Sequence, residues 1–190
     1  MAERLGYSAA ALDRIPAESI ESFAGVGHYF HLAALKEGER VVDLGSGSGM
    51  DAFLAAVAVG PTGRVIGVDM TDAQLAKSAR LASAAGLSQV ELRRGYIEEV
   101  PVENGWADCV ISNGVINLAV LKARVFAEAA RVLRPGGRLA IADIVTESPL
   151  PASVSCNATL WAACIGGAAQ VDDYRSAIEA AGLRVEQLDD

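Results

Sequence analysis

The sequence predicts an α/β fold, a doubly wound, mostly parallel sheet with helices on both faces. Three observations support this prediction. Short apolar strands alternate with helical stretches from residue 40 onward, and a glycine-rich run, GSGSG at 45–49, follows the first strand. The composition, 52% hydrophobic and 21% charged residues, is that of a globular protein. In a chain of 190 residues we expect one domain, 1–190, with an N-terminal helical lid segment at 1–38 and the α/β core at 39–190.

The elements of the first half follow in order. Residues 17–35 predict two short helices separated by a glycine-containing turn, and the first strand opens at Val41. A helix at 50–59 ends at Gly60, because glycine favours the left-handed conformation that closes helices. The remaining elements of this half are a second strand at 64–68 and a helix at 72–85, begun by a Thr71–Gln74 capping box and ended by Gly86.

The second half continues the alternation of strands and helices up to a sixth predicted strand. Its predicted elements are strands at 90–93 and 107–112, a helix at 120–133, a strand at 138–145 after the RPGG turn, helical residues at 152–169 interrupted by two glycines, a helix at 172–181 and a sixth strand that starts with LRVEQ. An uncovered sheet edge favours pairing with another chain, and a homodimer is therefore possible.

Composition excludes several classes of partner. The formal net charge is −8, without the basic footprint of a nucleic-acid-binding protein. No apolar run reaches the ~18 residues that span a bilayer, and the N-terminus lacks a signal-peptide pattern. We therefore expect a cytoplasmic protein that binds neither nucleic acid nor membrane. The three cysteines form no CxxC pair, so no metal site is predicted.

The glycine-rich run and two aspartates indicate an adenosine-type cofactor. Gly45, Gly47 and Gly49 permit a tight turn and close approach of the backbone to a ligand, and Asp69 ends the second strand, where a carboxylate accepts hydrogen bonds from ribose hydroxyls. The G-x-G-x-G spacing differs from the dinucleotide pattern G-x-G-x-x-G. Asp43, just before the run, would repel a pyrophosphate but suits a cationic amino-acid tail. S-adenosylmethionine carries an ammonium and a sulfonium, so it is the predicted cofactor, with S-adenosylhomocysteine as product.

Several longer stretches carry a narrower resemblance. They are LGYS, ESFAGVG, VVDLGSGSGMDAFLAA, VGPTGRVIGVDMT, SNGVINL, VFAEAARVLRPGGRLAIADIV and WAACIGGA. The chain resembles the class I S-adenosylmethionine-dependent methyltransferases, most closely the arsenite methyltransferase group, which implies a Rossmann-like fold and a small-molecule or metalloid acceptor. The resembling fold ends in an antiparallel hairpin whose seventh strand has no sequence here, so the resemblance implies an incomplete C-terminal hairpin. By this resemblance, the cofactor is held by Gly45, Ser46, Gly47 and Gly49 at its methionine and ribose, by Asp69 and Met70 at the ribose and adenine, by Tyr96 and Ile97 at the adenine edge, and by Asn113 beneath the sulfonium.

The acceptor side departs from the resembling group. The group binds metalloid with three cysteines, and this chain has Gly114 and Val26 at two of those positions and retains Cys164 at the third. The resemblance implies that Gly114, Asn117 and Cys164 line the acceptor site. Three interpretations remain open: metalloid methylation with exogenous thiols, a small organic acceptor that enters a pocket enlarged at Gly114, and a non-catalytic cofactor-binding or metalloid-sensing module.

Catalytic residues are less clearly indicated. Methyl transfer from a sulfonium depends on alignment and desolvation, so a general base is optional. Asn113, Cys164 and His28 are the weak candidates, and for His28 packing within the N-terminal segment is the favoured alternative. We interpret Cys109 as a core residue. Cys156 lies roughly 80° from Cys164 around a regular helix, a separation at which the two can share a face.

Overall fold

The computed structural model describes residues 1–157, 159–160 and 165–189. Within them the chain forms one five-stranded parallel sheet of order β3-β2-β1-β4-β5. The strands are β1 (Arg40–Leu44), β2 (Arg64–Asp69), β3 (Val90–Arg94), β4 (Ala107–Asn113) and β5 (Leu133–Ala142). The helices are α1 (Ala9–Leu12), α2 (Ala17–Glu21), α3 (Phe30–Ala33), α4 (Met50–Val59), α5 (Asp72–Ala84), α6 (Lys122–Val132), α7 (Ala152–Ser155) and α8 (Val171–Ala180), with 3-10 turns at Ala2–Leu5 and Ile116–Leu118.

The strand order creates a switch point beside β1. The chain runs from β1 outward through β2 to β3, then returns to the other side of β1 with β4 and β5. Leu44 at the end of β1 is in register with Val68 on one side and Ser112 on the other. The carboxyl ends of three strands therefore meet at one edge of the sheet, which is where open α/β folds bind their ligands.

Alternating residues of the strands supply two separate cores. Val41 packs with the alanine-rich face of α4 and with α3, whereas Val42 lies on the other face with Phe126 of α6. The helix α8 covers that second face, where its Tyr174 meets Phe126 edge to face at 5.1 Å between ring centroids. Helices on both faces of a parallel sheet confirm the predicted fold class.

The N-terminal segment packs against the outer side of α4. Its Tyr7, Leu12 and Ile15 form a third cluster with Phe53 of α4 and Leu81 of α5. The helix α4 is therefore covered by the sheet on one side and by residues 1–38 on the other, and eight of its ten residues are buried. The N-terminal segment consequently lies next to the carboxyl edge of the sheet.

Several sequence-based predictions of elements and bounds are wrong. Residues 183–189 form no ladder, so the predicted sixth strand is absent from the part of the chain that the structure describes. The predicted capping box is not formed: the side chain of Thr71 makes no cap bond to α5, and the Thr71 N–H, which Gln74 would accept in such a box, donates to Asp69 Oδ1 at 2.8 Å. The strand β5 spans Leu133–Ala142 instead of 138–145, so the RPGG stretch predicted as a turn lies inside it, and α6 begins at Lys122 instead of residue 120. Of the helical residues predicted at 152–169, part lies outside the described residues.

The outer edge of β5 pairs with no other strand among the described residues. An unpaired edge exposes backbone donors and acceptors that another strand can satisfy. We expect the chain to self-associate, so that its mass in analytical ultracentrifugation rises above that of the monomer as the protein concentration is raised. A monomeric mass at every concentration would contradict this expectation.

Candidate active site

The glycine-rich loop between β1 and α4 leaves its backbone open at one position. Gly45, Gly47 and Gly49 all have positive φ, of +73°, +52° and +96°. A Cβ on Gly45 would lie 2.6 Å from a methyl of Val115, and one on Gly49 would lie 2.5 Å from Phe53. A Cβ on Gly47 would meet no atom within 4 Å. The outer glycines are thus required by packing, whereas Gly47 faces open space that a ligand can occupy.

Asp69 supports this loop from the end of β2. Its Oδ2 accepts a hydrogen bond from the N–H of Gly47 at 2.9 Å, and its Oδ1 accepts one from the N–H of Thr71 at 2.8 Å. The residue is half-buried, and each carboxylate oxygen retains a second lone pair for a ligand hydroxyl. The structure therefore brings the predicted ribose-binding residue into direct contact with the loop.

Asp43 is a buried carboxylate with one oxygen unsatisfied. The residue is 2% exposed, and its Oδ2 has no hydrogen-bond partner among the described residues. Burial, followed by the nearby carboxylates Asp51 and Asp69, raises the pKa of Asp43 well above its ordinary value. The neighbouring hydroxyl of Ser46 is also buried, and it too lacks a partner within the described part of the chain. Polar atoms in this state are found where a ligand or ion completes the site.

A shallow cleft opens on the other side of Asp69. It measures about 350 Å³ and is lined by Met70, Arg94, Gly95, Tyr96, Glu99, Val100 and Pro101. Met70 and Tyr96 are exposed although their side chains are apolar or aromatic, and Ile97 behind them is buried. Exposed apolar side chains around a cleft next to the loop fit the predicted adenine side of the site.

Asn113, at the end of β4, connects the sheet to the N-terminal segment. Its Oδ1 accepts hydrogen bonds from the N–H groups of Val26 and Gly27, at 2.8 and 3.3 Å. Its Nδ2 lies 2.9 to 3.0 Å from the Gly27 carbonyl oxygen, the Tyr7 hydroxyl and Asp51 Oδ2. The amide group is thus occupied by protein contacts on both of its atoms, and Asn113 holds residues 24–27 over the site.

Gly114 and Val26 face each other on the acceptor side. Gly114 has a φ of +69°, and a Cβ built on it would lie 3.1 Å from Val26 Cγ1 and 3.7 Å from the carbonyl oxygen of Ala24. The interpretation that Gly114 enlarges a pocket is wrong, because the side chain of Val26 fills the space next to it. The two positions at which the resembling group has thiolates therefore form one apolar contact.

The remaining predicted acceptor and catalytic residues are placed differently. Asn117 is fully buried, and its side-chain nitrogen donates to Asp143 Oδ1 at 2.8 Å and to the Ile144 carbonyl oxygen. His28 stacks against Phe30 and meets the Tyr7 ring edge to face at 4.7 Å. Burial, and then neighbouring His31, lowers the pKa of His28 below its ordinary value. Packing thus describes His28 better than proton transfer.

The cysteines divide between core and surface. Cys109 is buried in the core, as predicted, and burial raises the pKa of its thiol to about 12. Cys156 is exposed. Cys164 lies outside the described residues, so its predicted proximity to Cys156 stays a prediction. Among the described residues, no group of His, Cys, Asp and Glu is arranged to hold a metal ion, and no helix is long and apolar enough to cross a membrane.

Two residues of the site were not found from the sequence. Asp51 in the first turn of α4 and Tyr7 in LGYS are buried and hydrogen-bonded to each other at 2.7 Å. The available signal was an acidic residue directly after the glycine-rich run, inside an otherwise apolar helix. Such a carboxylate needs buried donors, and Tyr7 is one of them.

Comparison with known proteins gives a consistent result. The chain matches the methyltransferase domain over residues 35–182. It is 42% identical to an arsenite methyltransferase of Halobacterium salinarum over 98% of this chain and 47% of the relative, and 39% identical to the human arsenite methyltransferase over 67% of this chain and 36% of the relative. The structure of an arsenic(III) S-adenosylmethionine methyltransferase from Chlamydomonas reinhardtii is 40% identical and superposes with a TM-score of 0.81, over 91% of this chain and 60% of that one. This chain thus spans about half the length of the first of these relatives.

The buried charge at Asp43 leads to a stability prediction. A carboxyl whose folded pKa is raised destabilises the folded state above that pKa, and the penalty disappears below the unfolded value near 3.8. We expect Asp43→Asn to unfold at a higher temperature than wild type at pH 7.5, with the difference shrinking as the pH falls toward 4. Thermal melts across this pH range measure the effect.

Asp108 provides a matched control, because its pKa is shifted in the opposite direction. Burial works against its charge, but the Arg40 N–H and the Arg134 guanidinium lower its pKa overall. Its ionised form therefore stabilises the fold above the unfolded pKa, and this contribution is lost as the pH falls. Asp108→Asn should melt at a lower temperature than wild type at pH 7.5. If Asp43→Asn, like Asp108→Asn, melts at a lower temperature than wild type at pH 7.5, the assignment of Asp43 is refuted.

Proposed function

The chain belongs to the methyltransferase-domain family, and from that premise we propose that it transfers the methyl group of S-adenosylmethionine to a small acceptor, with arsenite as the leading candidate. The observation that carries the donor assignment is the unsatisfied, buried Asp43 carboxylate beside the open backbone at Gly47. A cation bound there would lower the cost of the buried charge. A pyrophosphate would raise it, which argues against a dinucleotide.

The residues present fit S-adenosylmethionine along its length. Asp43 suits the ammonium of the methionine part, and the second lone pairs of Asp69 suit ribose hydroxyls. The cleft lined by Met70 and Tyr96 offers apolar surface for a flat base. When bound, this cofactor supplies a methyl group made electrophilic by its sulfonium.

The chain's own residues contribute position and water exclusion. The backbone at Gly47 allows close approach, and Asp69 fixes that backbone through its hydrogen bond to the Gly47 N–H. Asn113 holds Val26 and Gly27 at the end of β4, and we propose that this segment limits the access of water to the bound cofactor. Alignment and desolvation are the two effects on which a displacement at a methyl group chiefly depends, so no general base is required.

The acceptor assignment draws on the relatives and on Cys164. Arsenic(III) is a soft centre that prefers thiolates, and the positions of Val26 and Gly114 offer it none. We propose that Cys164 supplies the protein's thiolate and that exogenous thiols, such as glutathione, complete the arsenic coordination. The acceptor is then a thiol complex of arsenite.

A small organic acceptor is the second candidate. The direct contact of Val26 with Gly114 favours it, because an apolar wall suits a carbon or sulfur nucleophile with an apolar body. Transfer of methyl to such compounds with no arsenic product would select this alternative.

The donor site is tested with two glycine variants that are matched in backbone strain. Gly47 and Gly86 have φ of +52° and +68°, and a Cβ on either meets no atom within 4 Å. Alanine in the left-handed region costs about 1–2 kcal/mol, so Gly47→Ala and Gly86→Ala should lose similar stability. By calorimetric titration with S-adenosylmethionine, we expect only Gly47→Ala to lose affinity, by about tenfold or more, since one lost close contact is worth ~1.4 kcal/mol or more. Equal affinities in the two variants would refute the placement of the donor.

The acceptor is tested by transfer of labelled methyl from S-adenosylmethionine to arsenite with glutathione present. We expect methylated arsenic from wild type and from Cys156→Ser, which removes an exposed thiol, and its loss in Cys164→Ser. If wild type binds the donor but yields no methylated arsenic, arsenite is not the acceptor, and organic acceptors come next. Donor binding without transfer to any acceptor would favour a non-catalytic module.

A further inference from the structure

Residues 24–27 pack closely on the ends of two strands. A Cβ on Gly25 would lie 2.6 Å from Asn113 Cγ, and one on Gly27 would lie 3.0 Å from the Cβ of Ala142. Val26, between these glycines, contacts Gly114. The two glycines therefore allow this segment to lie directly on the carboxyl ends of β4 and β5.

One carboxylate connects this segment to the glycine-rich loop. Asp51, in the first turn of α4 and directly after that loop, is 5% exposed. Its Oδ1 accepts from the Tyr7 hydroxyl at 2.7 Å, and its Oδ2 accepts from the Tyr29 hydroxyl at 3.1 Å and from Asn113 Nδ2 at 3.0 Å. We refer to these four side chains as the Asp51 network.

The network has hydrogen-bond donors but no ion pair. Asp51 forms no salt bridge within the described residues, and burial raises its pKa while its three donors oppose that rise. A buried carboxylate depends on such donors, and losing one exposes it to the full cost of desolvation. Two of its donors, Tyr7 and Tyr29, belong to the N-terminal segment. The ionised Asp51 carboxylate therefore keeps all of its hydrogen bonds only while the N-terminal segment is packed against α4.

We infer that Asp51 is a positioning residue that couples the order of residues 24–27 to the binding of S-adenosylmethionine at the glycine-rich loop. This inference rests on the proposed function, in which S-adenosylmethionine is the ligand of that loop. Asp51 is fixed to the loop through the backbone of α4 and to residues 24–27 through Tyr7 and Asn113, which also bond to each other at 3.0 Å. By linkage, binding of S-adenosylmethionine must then protect the amides of residues 24–27 from hydrogen exchange. The order of these residues must in turn strengthen the binding of S-adenosylmethionine by the same factor.

The test compares two tyrosines that each donate a hydroxyl to an aspartate, Asp51 being buried and Asp143 half-buried. Tyr7 donates to Asp51, and Tyr174 donates to Asp143 at 2.8 Å, on the other face of the sheet. Phenylalanine at either position keeps the ring and its packing. Hydrogen exchange of the Val26 and Gly27 amides, with and without S-adenosylmethionine, reports the order of the segment, because Asn113 Oδ1 accepts from both amides.

We expect Tyr7→Phe to speed exchange at Val26 and Gly27 about tenfold, to weaken S-adenosylmethionine binding about three- to tenfold, and to reduce the protection that the donor confers on these amides. Tyr174→Phe should leave all three quantities at wild-type values even if it lowers the melting temperature equally. If Tyr7 contributed only to the stability of the fold, its substitution would not change the additional protection from exchange that S-adenosylmethionine confers on these two amides.

The outcomes separate the inference from the proposed function. If wild type binds S-adenosylmethionine and Tyr7→Phe binds it with the same affinity, the coupling is overturned while the proposed function stands. The coupling is also overturned if the donor leaves exchange at Val26 and Gly27 of wild type unaltered. If wild type itself shows no binding of S-adenosylmethionine, the proposed function fails, and the inference fails with it.

Discussion

The arrangement of the site depends on the burial of Asp51, a carboxylate held by hydrogen-bond donors instead of by a cation. A buried charge of this kind is tolerated only when several donors converge on it. Here the donors come from parts of the chain that are far apart, since Tyr7 and Asn113 are 44 and 62 residues away in sequence. The requirement to satisfy one carboxylate thus fixes the N-terminal segment against the carboxyl edge of the sheet.

A second buried carboxylate, Asp43, lies close enough for the two charges to raise each other's cost. The charge of Asp51 is the second largest cause of the raised pKa of Asp43, after burial itself. Three glycines with positive φ occupy the loop between the two aspartates. Neither feature stabilises the fold, because two like charges repel and glycine loses more entropy on folding than other residues. Their concentration at one loop is typical of a site maintained for binding.

The sequence was sufficient for local features and insufficient for contacts between distant segments. The glycine-rich loop, Asp43 before it, Asp69 at the end of β2 and all five strands of the sheet, β5 with shifted bounds, were predicted because each depends on neighbouring residues. The prediction of a capping box at Thr71 was wrong, because Asp69 accepts the Thr71 N–H that Gln74 would accept in such a box. The contributions of Tyr7 and Asp51, and the contact of Val26 with Gly114, depend on tertiary packing, which no local pattern encodes. The assignments of the cofactor-binding residues stay predictions that the geometry supports.

The contact of Val26 with Gly114 shows that the two departures from the resembling group belong together. A side chain at position 114 would have to tolerate a φ of +69° and would lie 3.1 Å from Val26 Cγ1. With valine at position 26, glycine is therefore the residue that fits at 114 without displacement or backbone strain. A cysteine at 114 would have to adopt this positive φ, and the side chain of Val26 would have to shift by a few tenths of an ångström. The Val26 N–H is also held by Asn113, which in turn donates to Asp51, so the Asp51 network and the apolar pair at the predicted acceptor side are joined through one side chain.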